Sequence, residues 1–422
     1  MNKVERLVYD LLKGNPKLKQ TVRNIYQFGF DLLPRKSEFS INPISIKESC
    51  FLGFHDIQPF SVDNSKLLSN KLSFDLRMPK EGEVLEVGYI KIADGKLGEF
   101  VKLGESTAWN FHKGCRLQWR SADEVVFNSS ENNKLVSNVL NLNGTCSTLS
   151  YPVDTVSECG TFATSFSYER LEKYMPGYGY PYTDDISYID ELAPVATGLF
   201  LVDLTTGLRK LLVSLQELAE RTKNEEASIG SHHYVTHTEF SKDSRFISFL
   251  HRWVGQDKQK RYTKLMVYDL KEAKLITLPI TNNMASHYVW NYKNQIIAYC
   301  NFEGVDCHAL LDVENISNSR KVAYPQLNSD GHQSFINDDQ FITDTYPDKW
   351  RMAKLSTVDI SSNTSKLVAS IYSPKKYQTK DFTKHIACDL HPRVSADGQL
   401  VCFDTVKSGK RSIAIMGLKD HV

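Results

Sequence analysis

The sequence predicts an all-β protein, a seven-bladed β-propeller with a short α-helical extension at its N-terminus. Three observations predict this fold: a short pattern recurs seven times, strand-like runs alternate with tight turns between the copies, and four copies carry a histidine at the same position. Self-similarity at a period of about 40–50 residues is typical of propellers, in which each repeat forms one four-stranded blade around a central channel.

The repeated pattern consists of an apolar or aromatic residue, a turn of the type Ser-x-Asp-Gly, and an apolar strand. Its copies begin at Phe60, Trp119, Val156, Phe240, Trp290, Phe335 and Val394. They are separated by 59, 37, 84, 50, 45 and 59 residues, so some spacings match one blade and others require insertions. We therefore expect the copies to form the innermost strands of successive blades.

Residues 1–35 differ from the rest and predict a basic amphipathic helical extension. Apolar residues recur at helical spacing, Pro16 separates two helices, and Pro34 ends the second. Seven Lys and Arg stand against three Asp and Glu in this segment. A basic amphipathic helix binds anionic membrane surfaces, but it equally packs across the base of a propeller, so both interpretations stay open. The propeller is expected over residues 36–422.

Within the propeller, two ribbons read as the third strand, turn and fourth strand of a blade. They begin at Leu199 and Leu265. The segment from Leu212 to about Ala227 has the apolar spacing of an inserted helix, which accounts for part of the longest spacing between copies.

Four histidines share one position, three residues before the first residue of the last four copies. They are His237, His287, His332 and His391. Because a shared position in neighbouring blades implies a similar depth around the channel, we expect these imidazoles to converge at one channel mouth. The first three copies have Ile57, Arg116 and Val153 there. The competing interpretation is that each histidine only caps an inner strand by hydrogen bonding.

Composition excludes several classes of protein. The formal net charge is +1, which gives no global field for nucleic acid binding. No apolar stretch of about 18 residues predicts a transmembrane helix, and the N-terminus lacks the apolar region of a signal peptide. The eight cysteines form no CxxC pair, so buried free thiols in a reducing compartment are expected. We expect a cytoplasmic protein, with peripheral contact to the inner membrane through residues 1–35 as an open alternative.

Three segments resemble a known family. They begin at Thr107, Asp330 and Asp389 and read TAWNFHKGCRLQW, DGHQSF and DLHPRVSADGQLVCFD. They resemble TolB- and WD40-like propellers and, among them, the oligogalacturonate lyase family, over about residues 50–420. That family is a seven-bladed propeller that cleaves uronate oligomers by β-elimination with a manganese ion held by histidines and a glutamine. The resemblance implies Mn²⁺ as cofactor, an acidic oligosaccharide as substrate and His391 as the final metal histidine.

The residues themselves suit this chemistry. β-Elimination at a uronate removes the C5 proton, so it requires a base and a positive group that stabilises the resulting anion. Three imidazoles and a carboxylate suit Mn²⁺, Fe²⁺ or Zn²⁺. The candidate metal ligands are His287, His332, His391 and Asp389, which stands where the family has another histidine.

The remaining candidates have catalytic or substrate-binding roles. His237 is the candidate base, Arg116 a clamp for a carboxylate, and Tyr180 or Tyr178 a proton donor to the leaving oxygen, with stacking an equal alternative for each tyrosine. Substrate-binding residues are expected in loops on the rim of the same mouth. They are Arg252, Tyr178, Tyr346 and Asp348.

Three functions stay open at this point. The first is a polysaccharide lyase acting on a uronate-containing oligosaccharide by metal-assisted β-elimination. The alternative is a non-catalytic propeller that binds glycans or proteins and is associated with cell-envelope polysaccharide biosynthesis. A hydrolase or another metal-dependent sugar enzyme is the third.

Overall fold

A computed structural model describes residues 28–30, 33, 35–39, 44–74, 77–80, 82–180, 182, 188–255, 260–377 and 386–418. Its strands form seven separate antiparallel sheets. The chain is therefore a seven-bladed β-propeller, as the repeats predict.

The strands follow one another along the chain, blade by blade. Two strands precede the first blade: β1 (Glu38–Phe39) and β2 (Ser45–Glu48). The first three blades contain β3 (Cys50–Phe51), β4 (Lys66–Lys71), β5 (Leu85–Ala93), β6 (Lys96–Ser106); β7 (Gln118–Trp119), β8 (Glu124–Glu131), β9 (Lys134–Asn141), β10 (Cys146–Leu149); and β11 (Phe162–Ser165), β12 (Gly198–Asp203), β13 (Arg209–Ser214).

The fourth to sixth blades have their strands in the same order, from the channel outwards. They contain β14 (His232–Phe240), β15 (Phe246–Val254), β16 (Arg261–Asp269), β17 (Lys274–Thr277); β18 (Ala285–Trp290), β19 (Gln295–Phe302), β20 (Val305–Asp312), β21 (Arg320–Val322); and β22 (Gln333–Asn337), β23 (Gln340–Asp344), β24 (Met352–Asp359), β25 (Thr364–Tyr372). The last blade contains β26 (Arg393–Val394), β27 (Leu400–Thr405) and β28 (Ser412–Gly417).

All seven repeat copies begin at equivalent positions in the innermost strands. Each first residue pairs with the second strand of its own blade, six or seven residues further on: Phe60↔Leu67, Trp119↔Val125, Val156↔Ala163, Phe240↔Ile247, Trp290↔Ile296, Phe335↔Phe341 and Val394↔Val401. In the third blade the innermost strand is reduced to the single bridge at Val156. The prediction from the repeats is confirmed.

The ring is closed by a strand from the beginning of the chain. β2 pairs with β28 over Ser45–Glu48 and supplies the outermost strand of the last blade. β1 pairs with β25 and adds a fifth strand to the sixth blade. The segment that precedes the first blade is thus part of the sheet of the last blade, which ties the two ends of the ring together.

Two short helices accompany the third blade, one between β11 and β12 and one directly after β13. Helix α1 (Tyr168–Tyr174) begins after Ser167, whose side chain accepts from the Arg170 amide; no such helix is predicted from the sequence. Helix α2 (Leu215–Arg221) begins with a capping box and confirms the predicted inserted helix.

Most of the predicted N-terminal extension lies outside the described residues. Residues 28–30 are helical, and the Phe30 ring contacts the Trp350 ring edge-on at 4.4 Å. Among the described residues, no helix is long and apolar enough to cross a bilayer. All eight cysteines are unpaired thiols, six of them buried, as the sequence predicts.

Candidate functional site

The central channel is filled by a segment of the first blade. Between β3 and Phe60 the chain leaves the innermost strand, and Phe54, only 1% exposed, lies among the histidine side chains. Arg393 holds this segment, because its guanidinium donates to the carbonyl oxygens of Gly53 (2.6 Å) and Phe54 (3.0 Å). Gly53 is required here: its φ is +105°, and an added Cβ would lie 2.8 Å from the Lys113 carbonyl oxygen.

Six imidazoles surround the Phe54 ring. Their ring centroids lie 4.6–6.1 Å from its own, and they belong to His55, His112, His237, His287, His332 and His391. Those of His287 and His332 are 4.0 Å apart, and those of His332 and His391 are 4.2 Å apart. The four predicted histidines therefore lie together. We call the cluster of all six imidazoles the histidine ring.

The backbone aims part of this cluster into the channel. Arg116, His237 and His391 occupy the same position of the repeat, and all three have left-handed φ angles of 58°, 55° and 44°. Such a conformation costs about 1–3 kcal/mol in a non-glycine residue and persists only where its surroundings enforce it. It bends the start of the innermost strand and turns these side chains away from the sheet.

Carboxylates orient two of the imidazoles. The Nδ1 of His332 lies 2.9 Å from an Asp344 oxygen, and that of His287 lies 3.0 Å from Asp330. This leaves each Nε2 directed elsewhere, and the Nε2 atoms of His332 and His391 are buried without a hydrogen-bond partner. A carboxylate on the second nitrogen is the usual arrangement around metal-binding histidines.

One group of side chains in the described parts of the chain is close enough to share a metal ion. The ligand atoms of His112, Asp389 and His391 all lie within 4.8 Å of one another. Two of the four predicted ligands, His391 and Asp389, belong to this group. His287 and His332 stand outside it, and its third member is His112.

Burial sets the charge state of the cluster. It lowers the pKa values of His237, His332 and His391 well below the usual range, so these imidazoles are neutral at physiological pH. Burial, together with the nearby Asp344, raises the pKa of Asp389 to about 7. Neutral imidazoles offer the lone pairs that a metal ion or a substrate proton requires.

A cationic side chain lies beside the histidine ring. Arg252 is 8% exposed, and its Nη atoms donate to the Met175 sulfur (3.2 Å) and the Ala285 carbonyl oxygen (3.4 Å). Its Nε has no partner, it forms no ion pair with any described carboxylate, and burial lowers its pKa. The predicted rim loop around it is wrong, because the chain from His251 to Val254 is a buried part of β15.

Two of the predicted aromatic residues reach the cluster. The Tyr178 ring lies 4.1 Å from that of His112 and 5.9 Å from that of His237. The Tyr346 ring, 43% exposed, lies 5.8 Å from that of His332. These two rings are placed to contact a ligand that approaches the histidine ring.

Arg116 has an internal role instead of the predicted one. It is fully buried, forms a bidentate pair with Asp56 (2.8 and 2.9 Å) and donates through Nε to the Asp154 carbonyl oxygen at 2.7 Å. Asp154 also accepts from Lys113 (2.7 Å) and from the amide and hydroxyl of Thr238. This network joins the first four blades, so the Arg116 guanidinium is not offered to a ligand.

Two other candidates also have structural roles. Tyr180 is fully buried, stacks on Tyr168 at 4.5 Å and donates to the Gly114 carbonyl oxygen at 3.3 Å, so its hydroxyl is unsuited to protonate a leaving group. The Asp348 carboxylate accepts from the amides of Trp350 and Met352 and builds a turn.

Sequence reasoning missed three members of the cluster, Phe54, His55 and His112. His55 precedes Ile57 by two residues and His112 precedes Arg116 by four. Both therefore stand near the repeat position in two of the three blades that lack a histidine there. A search that allowed a shift of a few residues in each copy would have found them.

Comparisons with known proteins agree with this fold. The chain is similar to an oligogalacturonate lyase from Vibrio parahaemolyticus, with a TM-score of 0.58 and 11% identity over 91% of this chain and 99% of that chain. It is also similar to the tricorn protease, with a TM-score of 0.53 and 12% identity over 92% of this chain and 34% of that one. For TolB from Acinetobacter baumannii the values are 0.40 and 12%, over 74% and 65%. No protein-family model and no curated protein matches the sequence.

Proposed function

We propose that the protein is a lyase that cleaves uronate-containing oligosaccharides by metal-assisted β-elimination at the histidine ring. One observation supports it above the others: a buried arginine, Arg252, lies without an ion-pair partner among the described residues, beside a cluster in which the imidazoles of His237, His332 and His391 are neutral. Burying an unpaired charge is costly, so a site that keeps one is suited to an anionic ligand. A uronate carboxylate supplies that anion, and guanidinium groups bind carboxylates in two-point contacts.

The residues present fit a divalent metal ion. Neutral imidazole and carboxylate donors suit Mn²⁺, Fe²⁺ and Zn²⁺, and His112, Asp389 and His391 would hold the ion, with His332 next to them. When bound, the ion supplies positive charge that stabilises an anion formed next to the substrate carboxylate. The identity Mn²⁺ rests only on the family resemblance.

The chain's own residues then have separable roles. Arg252 binds and orients the uronate carboxylate, and Tyr178 and Tyr346 pack against the sugar. His237, a neutral imidazole whose Nδ1 lies 2.8 Å from the Thr236 hydroxyl, takes the C5 proton through its Nε2. The bond between C4 and the leaving oxygen breaks as the C4–C5 double bond forms, and the leaving oxygen takes up a proton from water.

The test is an assay for the unsaturated product with the full chain. Oligogalacturonate incubated with the protein and added Mn²⁺ should gain ultraviolet absorbance from the new double bond, and the methyl-esterified oligomer, which lacks the carboxylate charge, should not react. Absence of product with every uronate oligomer and each of the three metals would refute the proposal.

Metal content separates the roles further. The variant His391→Ala should lose both the metal and turnover, whereas His237→Ala should keep the metal and lose turnover. Elemental analysis of the two purified variants checks this. Equal metal content in both, or unfolding of both, would show that the histidines are structural.

A non-catalytic glycan-binding propeller is the second candidate. It is favoured by the closure of the cluster, because His332 is 1% and His391 3% exposed while Phe54 fills the channel beside them. The same assay decides: saturable binding of uronate oligomers without any unsaturated product would favour this candidate.

A further inference from the structure

A second cavity lies at the opposite mouth of the channel. It has a volume of about 230 Å³ and is lined by the turns that follow the innermost strands of the first four blades. The segment from Phe54 to Asp56 separates it from the histidine ring, since Asp56 lines this cavity while Phe54 and His55 line a small void behind it. We call it the turn-face cavity.

One side chain in its wall has an unsatisfied polar atom. Glu239 is 6% exposed, and its Oε2 is buried without a hydrogen-bond partner, while its Oε1 accepts from the Trp290 amide at 3.5 Å. A buried polar atom without a partner costs about 1–3 kcal/mol. Burial raises the pKa of Glu239 well above its usual range, so the group is a neutral acid that can donate a hydrogen bond.

The other charges of the wall are already paired. Lys242 contacts Glu158 at 2.7 Å, Arg120 contacts Glu124 at 3.4 Å, and Asp56 is bound by Arg116. The cavity therefore offers no unbalanced charge to a ligand, which favours a neutral ligand over a charged one. This distinguishes the cavity from the histidine ring, where the Arg252 guanidinium forms no ion pair with a described carboxylate.

Three aromatic side chains contribute to the wall, among small, aliphatic and polar ones. Phe60, Trp119 and Phe240, which are first residues of three repeat copies, line the cavity, and the Trp119 ring is held by a hydrogen bond from its Nε1 to the Pro59 carbonyl oxygen at 3.0 Å. Drug-sized ligands occupy cavities of roughly 300–1,000 Å³, so this smaller cavity suits a single ring. Aromatic faces with a hydrogen-bonding acid suit a ring that carries hydroxyl groups.

We propose that the turn-face cavity is a second ligand site that binds one neutral, hydroxyl-bearing ring, a monosaccharide unit. The Glu239 carboxyl group hydrogen-bonds to a ring hydroxyl, and the Trp119 side chain packs against the apolar side of the ring. This site is independent of the proposed lyase activity.

Calorimetric titration of the full chain tests the proposal. The probes are galactose, glucose, N-acetylglucosamine and galacturonate, with the acyclic polyol mannitol as control. At least one neutral ring should bind saturably, mannitol should not, and galacturonate should bind no more tightly than galactose. No saturable heat from any neutral ring would overturn the proposal, because the cavity would then hold water only.

Two pairs of variants sharpen the test. Glu239→Leu should weaken binding about tenfold or more, since it loses one hydrogen bond to the ligand, whereas Glu239→Gln, whose amide still donates, should retain most of the affinity. Trp119→Leu provides a second readout should Glu239→Leu fail to fold. Arg252→Met at the other mouth should bind the same sugar unchanged. Unchanged affinity in both Glu239→Leu and Trp119→Leu would place the bound sugar elsewhere.

Discussion

Replacing Arg252 by methionine should leave the fold at least as stable while removing the carboxylate site. Methionine is unbranched and replaces the aliphatic stem of arginine, so it fills much of the space with little strain. The substitution loses two contacts of the guanidinium, to the Met175 sulfur and the Ala285 carbonyl oxygen, worth about 1 kcal/mol each. It also removes a buried charge without an ion-pair partner, whose desolvation costs several kcal/mol.

These magnitudes predict opposite effects on stability and on binding. The free energy of unfolding should stay the same or rise by about 1–4 kcal/mol. A charged hydrogen bond to a carboxylate contributes about 1.5–3 kcal/mol, so the affinity for uronate oligomers should fall roughly 10- to 150-fold. Denaturant unfolding measures the first quantity, and calorimetry or KM measures the second.

Arg320→Met is the matched control, because Arg320 is exposed on the outer strand β21. It should change neither quantity. If Arg252→Met lowered stability by several kcal/mol, Arg252 would be a structural residue. If it left uronate affinity unchanged, the carboxylate would bind elsewhere, and the main support for the proposed function would be lost.

Three further predictions concern the fold. Gly53→Ala should lower the free energy of unfolding by about 1–3 kcal/mol in denaturant titrations. Gly144→Ala is the control, because Gly144 has a similar φ but open space around it, so it measures the cost of φ without the clash against Lys113. Equal losses in the two variants would refute the clash. Deleting residues 1–33 should leave cooperative unfolding intact by circular dichroism, whereas deleting residues 1–48 should abolish it because β2 is lost. Loss of cooperative unfolding in the shorter deletion would mean that the N-terminal extension closes the ring. Burial raises the pKa of Glu172 to about 7 from 4.5, so the folded chain retains a proton that the unfolded chain releases, and stability should fall as pH rises from about 4.5 to 7. Glu172→Gln should make that fall shallower in unfolding curves measured across this range, while Asp389 keeps its own contribution, and an unchanged slope would contradict the assignment.

The fold could be predicted because its signal is local. Each copy of the repeat contains its own turn, and the first residue of every copy pairs within its own blade only six or seven residues away. Closure of the ring could not be predicted in the same way. β2 pairs with a strand more than 350 residues further along the chain, and no local pattern in Ser45–Glu48 indicates that partner.

The site was predictable where residues occupy the shared repeat position. It was not predictable where loops or partners distant in sequence determine the role of a side chain. His237, His287, His332 and His391 follow from that position alone. Arg116 occupies it too, but its role depends on Asp56 and on Asp154, which lie 60 and 38 residues away in the sequence. Phe54 enters the channel from an interruption of β3, which the pattern does not encode.

The pairing of β1 and β2 also determines where the beginning of the chain is attached. Both strands lie on the outermost edges of their blades, β1 against β25 and β2 against β28. A protein or bilayer that held the chain through residues before Glu38 would therefore be attached at the outer edge of the propeller. Both ends of the channel would stay accessible to diffusing sugars while the molecule was tethered, so immobilisation through the N-terminus should preserve ligand binding at either end.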